Sequence, residues 1–265
     1  MILENAKVLW NKKLGPSYYK VGLQCWNSHL DVVPGQFVMI RIPGQMDPLL
    51  RRPFSIHHIL IDNGVVKGLE VLYQVVGKGT ARLSKVKRND LVDILGPLGK
   101  GFMIPRSARM VFVVAGGIGI APLFYLISNL EKTRHDMHRP VVFLGGRSKR
   151  DILCLEELSK KGLNIHVTTD DGTYGKMGLV TDLLEKRLEK QLPDMICACG
   201  PSAMLKKVAV LSEKYNTRCQ ISLETTMACG MGACLGCAVK IGNGKEKYAH
   251  ACVDGPVFDL DRFRL

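Results

Sequence analysis

Four cysteines toward the end of the chain carry the clearest chemistry in the sequence. Met227-Ala228-Cys229-Gly230-Met231-Gly232-Ala233-Cys234-Leu235-Gly236-Cys237 has the spacing C-x4-C-x2-C, and Cys252 follows after fourteen residues. Plant-type [2Fe–2S] centres are held by this three-cysteine spacing. Each iron takes two thiolates, and the sulfur atoms need hydrogen bonds. Gly230, Gly232 and Gly236 allow the loop to curl tightly and aim backbone N–H groups inward. A structural zinc site competes, but zinc usually takes two separated C-x2-C or H-x3–5-H pairs, and here one C-x2-C is present. Unliganded thiols are the third reading. Asn243-Gly244 is a hairpin signal that would return Cys252 to the loop. Cys25, Cys154, Cys197, Cys199 and Cys219 are scattered, mostly in apolar surroundings, and read as small core residues.

A second set of candidate sites sits at the ends of apolar runs. Met110–Ala115, Val141–Gly145, Ile165–Thr169 and Met195–Cys199 read as buried parallel strands, with helices over Pro122–Glu131, Asp151–Lys160, Val180–Gln191 and Ser202–Tyr215. Such alternation implies a doubly wound sheet, whose ligands bind beyond the carboxyl ends of its strands. Gly116-Gly117-Ile118-Gly119 follows the first strand and opens a helix, where backbone amides can meet a pyrophosphate. Gly145-Gly146-Arg147-Ser148 ends the second strand, Asp170-Asp171-Gly172-Thr173 the third and Cys199-Gly200-Pro201 the fourth. Each alone is more often a plain turn; four on one sheet edge favour a ligand site.

The first hundred residues have a different pattern. Tyr19–Cys25, Gln36–Ile42, Pro53–Ile61, Leu69–Gln74 and Leu91–Leu95 are short alternating segments separated by Pro, Gly, Asn and Asp, which suggests a small antiparallel barrel. Arg51-Arg52-Pro53-Phe54-Ser55 places charge, a stiff turn and a hydroxyl at a strand start. Gly77-Lys78-Gly79-Thr80 precedes a helical stretch over Ala81–Val86, with Thr80 as N-cap and phosphate contact. Spacing alone does not name a ligand for either.

Composition excludes more than it selects. The chain has 265 residues, 46% hydrophobic and 23% charged, which suits a globular protein of two ordinary cores. The formal net charge is +13, but aromatics are 6% of residues and no basic block is interleaved with them, which argues against a base-stacking nucleic-acid surface. Met110 to Ile127 is an uncharged run long enough to span a membrane, yet its three glycines and Pro122 break a single helix. The N-terminus lacks the basic and apolar segments of a secretory signal. The expectation is a soluble, cytoplasmic chain that binds neither nucleic acid nor membrane.

Taken in order, these segments resemble the ferredoxin-reductase family, in which a flavin barrel precedes a nicotinamide domain. Arg52-Pro53-Phe54-Ser55 is similar to that family's R-x-[YF]-S flavin motif and Gly77-Lys78-Gly79-Thr80 to its flavin phosphate motif. Gly116 to Pro122 and Cys199-Gly200-Pro201 resemble its nicotinamide motifs. Glu224 to Cys237, followed by Cys252-Val253-Asp254-Gly255-Pro256-Val257-Phe258, is similar to the electron-transfer subunits of type B dihydroorotate dehydrogenases. The resemblance covers essentially the whole chain.

The resemblance implies an FAD-binding β-barrel over residues 1–102, a doubly wound, parallel-sheet NAD-binding α/β domain over 103–218 and a [2Fe–2S] segment over 219–265. It implies FAD contacts from Arg52, Pro53, Phe54, Ser55, Leu72, Tyr73, Gln74, Gly79 and Thr80. Gln74 departs from the arginine that often follows the tyrosine in the family. Gly116, Gly117, Gly119, Arg147, Asp170, Cys199 and Gly200 fall at the nicotinamide side, and Cys229, Cys234, Cys237 and Cys252 would hold the iron. NAD(H) is the implied electron partner, although Arg147, Ser148, Lys149 and Arg150 could accept a 2′-phosphate. The implied protein partner is an FMN-containing catalytic subunit that oxidises dihydroorotate in pyrimidine synthesis, as a heterotetramer of two of each.

Nicotinamides exchange electrons in pairs and iron–sulfur clusters singly, and a flavin between them handles both. The sequence holds no catalytic triad, paired carboxylates or obvious general base, so a partner would work on the organic substrate. A related subunit of a bifurcating NADH-dependent ferredoxin reductase or of a sulfite reductase shares the Cys252–Pro256 stretch, but Ala228–Cys237 fits the first family better. A regulatory or metal-sensing protein without turnover is the reading of another class.

Overall fold

The computed structural model describes residues 1–28, 31–44, 47–241 and 247–261. The expected turn at Asn243-Gly244 lies outside them. The chain divides into two compact units, one of residues 1–101, 224–239 and 249–256, the other of 102–223, 240–248 and 257–265.

The first unit is an antiparallel half-barrel of β1 (Ile2–Lys13), β2 (Tyr18–Ser28), β3 (Phe37–Arg41), β4 (Arg52–Ser55), β5 (His58–Asp62), β6 (Val65–Gln74) and β7 (Leu91–Leu98), with α1 (Lys78–Leu83) before β7. Its order is β4-β3-β7-β1-β2-β6-β5. Alternating side chains such as Ala6, Val8, Val21, Leu23, Val71 and Tyr73 fill the interior. The β1 strand lies outside the expected set because its polar residues hide the alternation; pairing with β2 on one side and β7 on the other makes it a strand. The expected strand Pro53–Ile61 is two strands. Ile56 N–H donates to Gln36 O and His57 N–H to Glu70 O, so the chain leaves β3 and joins β6 there.

The second unit is the parallel sheet. It contains β8 (Val111–Gly116), α2 (Ile120–Thr133), β9 (Val141–Gly146), α3 (Leu155–Lys160), β10 (Asn164–Thr169), β11 (Lys176–Met177), α4 (Val180–Leu188), β12 (Met195–Cys199), α5 (Ser202–Lys214) and β13 (Arg218–Ser222). Near the end of the chain, β14 (Ala238–Ile241) and β15 (Lys247–His250) form a two-stranded ribbon, and β16 (Val257–Asp259) runs antiparallel to β13. The order β11-β10-β9-β8-β12-β13-β16 reverses its direction of growth between β8 and β12. That reversal is where open α/β sheets bind ligands. β8 and β12 are buried along their whole length, as their Val, Ile and Ala runs predict. The expected helix from Asp151 begins later, at Leu155, because Cys154 stands in the left-handed region at φ 59°. Met110–Ile127 is strand, glycine turn and helix, and among the described residues no helix is long and apolar enough to cross a membrane.

Candidate functional site

The cysteine loop is built around backbone amides that point at sulfur. Gly230 and Gly232 adopt φ 76° and 84°, which side chains resist, and the resulting curl turns successive N–H groups inward. Met231 N–H and Cys234 N–H each reach Cys229 Sγ at 3.4 Å, and Gly232 N–H reaches Cys252 Sγ at 3.1 Å. Burial works to raise the Cys229 thiol, but the donors from Met231 and Cys234 outweigh it and bring it down to about 6. The thiolate that a metal requires is therefore favoured. Cys237 Sγ lies 3.2 Å from Cys252 Sγ. Burial, and next the Cys237 thiol, push Cys252 up to about 12.

The four sulfurs thus fall into two pairs, Cys229 with Cys234 and Cys237 with Cys252. Four thiols in two pairs, with amides directed at them, fit a dinuclear iron–sulfur cluster. Cys237 and Cys252 are buried, whereas Cys234 is exposed, as are Met231, Leu235 and Val253 of the same segments.

The loop is seated on the half-barrel. A methyl group on Gly230 would meet Met39 Cγ at 2.6 Å and Leu98 Cδ1 at 3.3 Å. Met39 is fully buried and pairs across β3 and β4 with Pro53. One residue therefore has the cysteine loop against its side chain and the Arg52–Ser55 strand beside its backbone.

A groove in the same unit joins two segments that are distant in sequence. Arg52 and Phe54 of β4 line it with Gly79, Arg82 and Leu83 of α1, and Ile40, Arg41, Ile42, Pro48 and Leu50 complete it. Arg52 Nη1 donates to Leu50 O at 2.9 Å and Arg51 O at 3.3 Å. Its neighbour Arg51 is turned away and held by Asp93, with Nε–Oδ1 at 2.5 Å and Nη2–Oδ2 at 2.9 Å. Arg41 Nη2 shares that carboxylate at 3.0 Å. Burial acts to raise the Asp93 carboxyl, but the two arginines hold it below the usual range. Enclosed nitrogens without partners, Arg82 Nη1 and Arg41 Nε, are what a site for a phosphate-bearing ligand predicts.

One of the expected residues behaves differently from the sequence reading. Thr80 is not the N-cap of α1; Gly77 is. Thr80 stands three residues into the helix, where its hydroxyl oxygen accepts from Val76 N at 2.9 Å and Gly77 N at 3.1 Å and donates to Gly77 O at 3.0 Å. It shapes the turn. Tyr73 is buried inside the half-barrel, its hydroxyl bonded to Asn11 Oδ1 at 3.1 Å and its ring edge-on to Phe54 at 5.9 Å. Gln74 Nε2 lies 3.4 Å from Ser17 Oγ, and Leu72 is buried opposite Lys20.

In the second unit the glycine turn after β8 and the turn after β12 interlock. A methyl group on Gly119 would fall 2.2 Å from Cys199 O and 2.8 Å from Gly200 N, and one on Gly116 would strike Met204 Sδ at 2.7 Å and Pro201 Cδ at 2.8 Å. Only bare backbone allows these strand ends to close together at the sheet's reversal point. Arg147 and Asp170 are exposed at the adjoining ends of β9 and β10, where Asp170 N–H donates to Gly146 O at 3.0 Å. Cys199 is buried.

The sequence matches three family models in chain order. Residues 11–102 match an oxidoreductase FAD-binding domain, 113–209 an oxidoreductase NAD-binding domain and 224–264 the iron–sulfur cluster binding domain of dihydroorotate dehydrogenase B. An electron transfer subunit of dihydroorotate dehydrogenase B (NAD(+)) from Desulforamulus reducens is 40% identical over 255 residues, covering 96% of this chain and 95% of that one. The chain belongs to this electron-transfer subunit family. A member from Listeria welshimeri is 37% identical over the full length of both chains. Among solved structures, a chain of an NADH-dependent reduced ferredoxin-NADP oxidoreductase superposes with a TM-score of 0.84 at 27% identity, covering 98% of this chain and 89% of that one. A ferredoxin reductase of carbazole 1,9a-dioxygenase, at 21% identity and TM-score 0.68, shares the fold.

As a member of this family the chain is an oxidoreductase subunit that combines FAD-binding, NAD-binding and iron–sulfur modules. The half-barrel brings Arg52, Phe54 and Gly79 into one groove and leaves the Tyr73 hydroxyl inside the core. Sequence reasoning missed Arg82, Arg41, Asp93 and Met39. Arg82 carried a local signal, standing two residues after Thr80 in the glycine-turn helix. Arg41, Asp93 and Met39 carried none, because their importance comes from cross-strand pairing.

Proposed function

We propose that this chain relays electrons between NAD(H) on its parallel sheet, FAD in the groove of its half-barrel and a [2Fe–2S] cluster on Cys229, Cys234, Cys237 and Cys252. The far end of the relay is an FMN-containing catalytic subunit that oxidises dihydroorotate in pyrimidine synthesis, in a cytoplasmic complex of two copies of each. Functionally, residues 1–102 serve the flavin, 103–218 the nicotinamide and 219–265 the cluster. The observation that carries this reading is the seating of the cysteine loop on Met39, beside the Arg52–Ser55 strand. Loop and strand belong to one compact unit, so their spacing is set by a packed core.

The flavin supplies the exchange between paired and single electrons. The chain's own residues position the carriers and adjust their charge. Arg52 meets the flavin with Pro53, Phe54 and Ser55 along β4, while Gly79 admits its phosphates close to the α1 backbone. Leu72, Tyr73 and Gln74 back that strand. Gly116, Gly117 and Gly119 receive the dinucleotide, with Cys199 and Gly200 behind it and Arg147 and Asp170 at its rim. The amides of Met231, Gly232 and Cys234 offset the negative charge on the cysteine sulfurs. Exposed Met231, Leu235 and Val253 add apolar surface to the cysteine segments, suited to cover by the catalytic subunit.

Anaerobic titration of the purified chain with NADH, following flavin and cluster absorbance together, tests this. Bleaching of both, with slow turnover until the FMN-containing subunit is added, is the expected result. An absent or unresponsive chromophore overturns the relay and favours a non-catalytic binding role.

A further inference from the structure

The strand that carries Arg52 is short and lies at the edge of the half-barrel sheet, paired with β3 alone. Arg52 stands opposite Ile40, Pro53 opposite Met39, Phe54 opposite Val38 and Ser55 opposite Phe37. Pro53 has no N–H to give, so few hydrogen bonds hold β4 in register. A slip of one residue exchanges the two faces of a strand. In this chain such a slip would hide itself, because Arg51 precedes Arg52 and would bring a guanidinium to the groove in its place. Phe54 would then turn away from the groove that it lines.

One carboxylate acts against that slip. Asp93 of β7 stands opposite Arg41 of β3, and Arg51 reaches it from the start of β4, so the ion cluster crosses β3. Arg51 Nε and Nη2 meet separate oxygens of Asp93 at 2.5 Å and 2.9 Å, a two-point contact that fixes direction as well as distance. The Asp93 side chain is 13% exposed and that of Arg51 24%, so solvent screens the pair little. Burial acts to raise the Asp93 carboxyl, but Arg51 and Arg41 hold it below the usual range, and it stays charged at neutral pH. Arg52 Nη1, by contrast, donates to the backbone carbonyls of Leu50 and Arg51. We propose that Asp93 is a positioning residue that captures Arg51, sets the register of β4 and so makes Arg52 the arginine that meets the flavin. This rests on the flavin reading of the groove. Asp93 acts through β4 and does not itself line the groove.

The test uses the full-length chain stripped of flavin, with FAD dissociation constants from quenching of flavin fluorescence and circular dichroism to check folding. Asp93→Asn is expected to weaken FAD several-fold, since affinity scales with the fraction of chains in the productive register. Arg51→Gln removes the rival guanidinium and should stay within about twofold of wild type, and Asp93→Asn/Arg51→Gln should regain most of the loss. Arg52→Gln should cost about tenfold with Asp93 present but about threefold or less in Asp93→Asn, where Arg51 takes its place. A carboxylate that only stabilised the fold would make Arg51→Gln as harmful as Asp93→Asn and leave the cost of Arg52→Gln unchanged. Either result overturns the proposal, as does unchanged FAD affinity in Asp93→Asn. If Asp93→Asn fails to fold, Arg51→Gln decides, because Asp93 and Arg41 remain paired in it: lost FAD affinity overturns the proposal and near-wild-type affinity sustains it. If the wild-type chain takes up no FAD at all, the flavin reading itself falls, and the two failures are distinct.

Discussion

The side chain of Arg52 lies across the α-carbon of Gly79, so that a methyl group at position 79 would meet Arg52 Cγ at 3.3 Å and Nε at 3.7 Å. Twenty-six residues of chain separate the two. Their contact makes the arginine strand and the glycine turn walls of one groove, and each constrains the other.

Gly79→Val should therefore push Arg52 out of the groove and lower FAD affinity by about tenfold or more, the scale of one lost charge-assisted hydrogen bond. Arg52→Ala should lose flavin by the same route. The flavin-to-protein absorbance ratio after extensive dialysis checks both, and full retention in either would separate Arg52 from the flavin.

Replacing Cys234 by serine removes the exposed one of the four cysteines. Iron and acid-labile sulfide should fall to background in Cys234→Ser while flavin content stays unchanged, because the groove is built from other residues of the unit. Retained iron and sulfide in that variant would sink the ligand assignment.

Gly230→Ala meets two obstacles, a φ of 76° and a methyl group 2.6 Å from Met39 Cγ. The expected cost is about 1–3 kcal/mol, with reduced iron incorporation as the loop lifts from β3. Denaturation midpoints and iron content read the two effects separately. A variant matching wild type in both would show that the seating on Met39 is not required.

Gly119→Ala places a methyl group 2.2 Å from Cys199 O. Forcing the turns after β8 and β12 apart should raise the NADH concentration needed for half-maximal flavin reduction several-fold, leaving flavin and iron content unchanged. Rapid-mixing reduction across NADH concentrations measures it. An unaltered dependence would place the nicotinamide elsewhere on the sheet.

His166 gives a pH dependence with a definite sign. Its ring stacks on Phe143 at 5.1 Å, and burial, with Arg187 second, lowers its pKa from the ordinary 6.5. The folded state thus favours the neutral ring, and its contribution to stability is fully present above pH 6.5. As pH falls below that value the unfolded chain takes up the proton first, and stability is lost until the folded ring titrates as well. Denaturant melts between pH 8 and pH 5 should show a smaller decline for His166→Phe than for wild type; parallel declines would contradict the assignment.

Much of the site was legible because its chemistry is local. The C-x4-C-x2-C spacing, the glycines that curl the loop, the Arg52–Ser55 run and the strand–glycine–helix pattern after β8 are each set within a dozen residues. The parallel strands were legible too, since strands buried on both faces leave unbroken apolar runs. Strand β1 was not, because its place depends on two partners and not on its own pattern.

By itself, then, the sequence determined the candidate donor set, the order of the modules and the fold class, all written in residue types and short periods. Tertiary structure decided which arginine of the Arg51-Arg52 pair faces the groove, since Asp93 of β7 captures the first and leaves the second to line it. It decided that Thr80 braces a turn and that Arg82 enters the groove. It also decided that residues 224–239 and 249–256 join the half-barrel, with Met39 under Gly230. These outcomes rest on register and close packing between residues far apart in sequence, which no local pattern encodes.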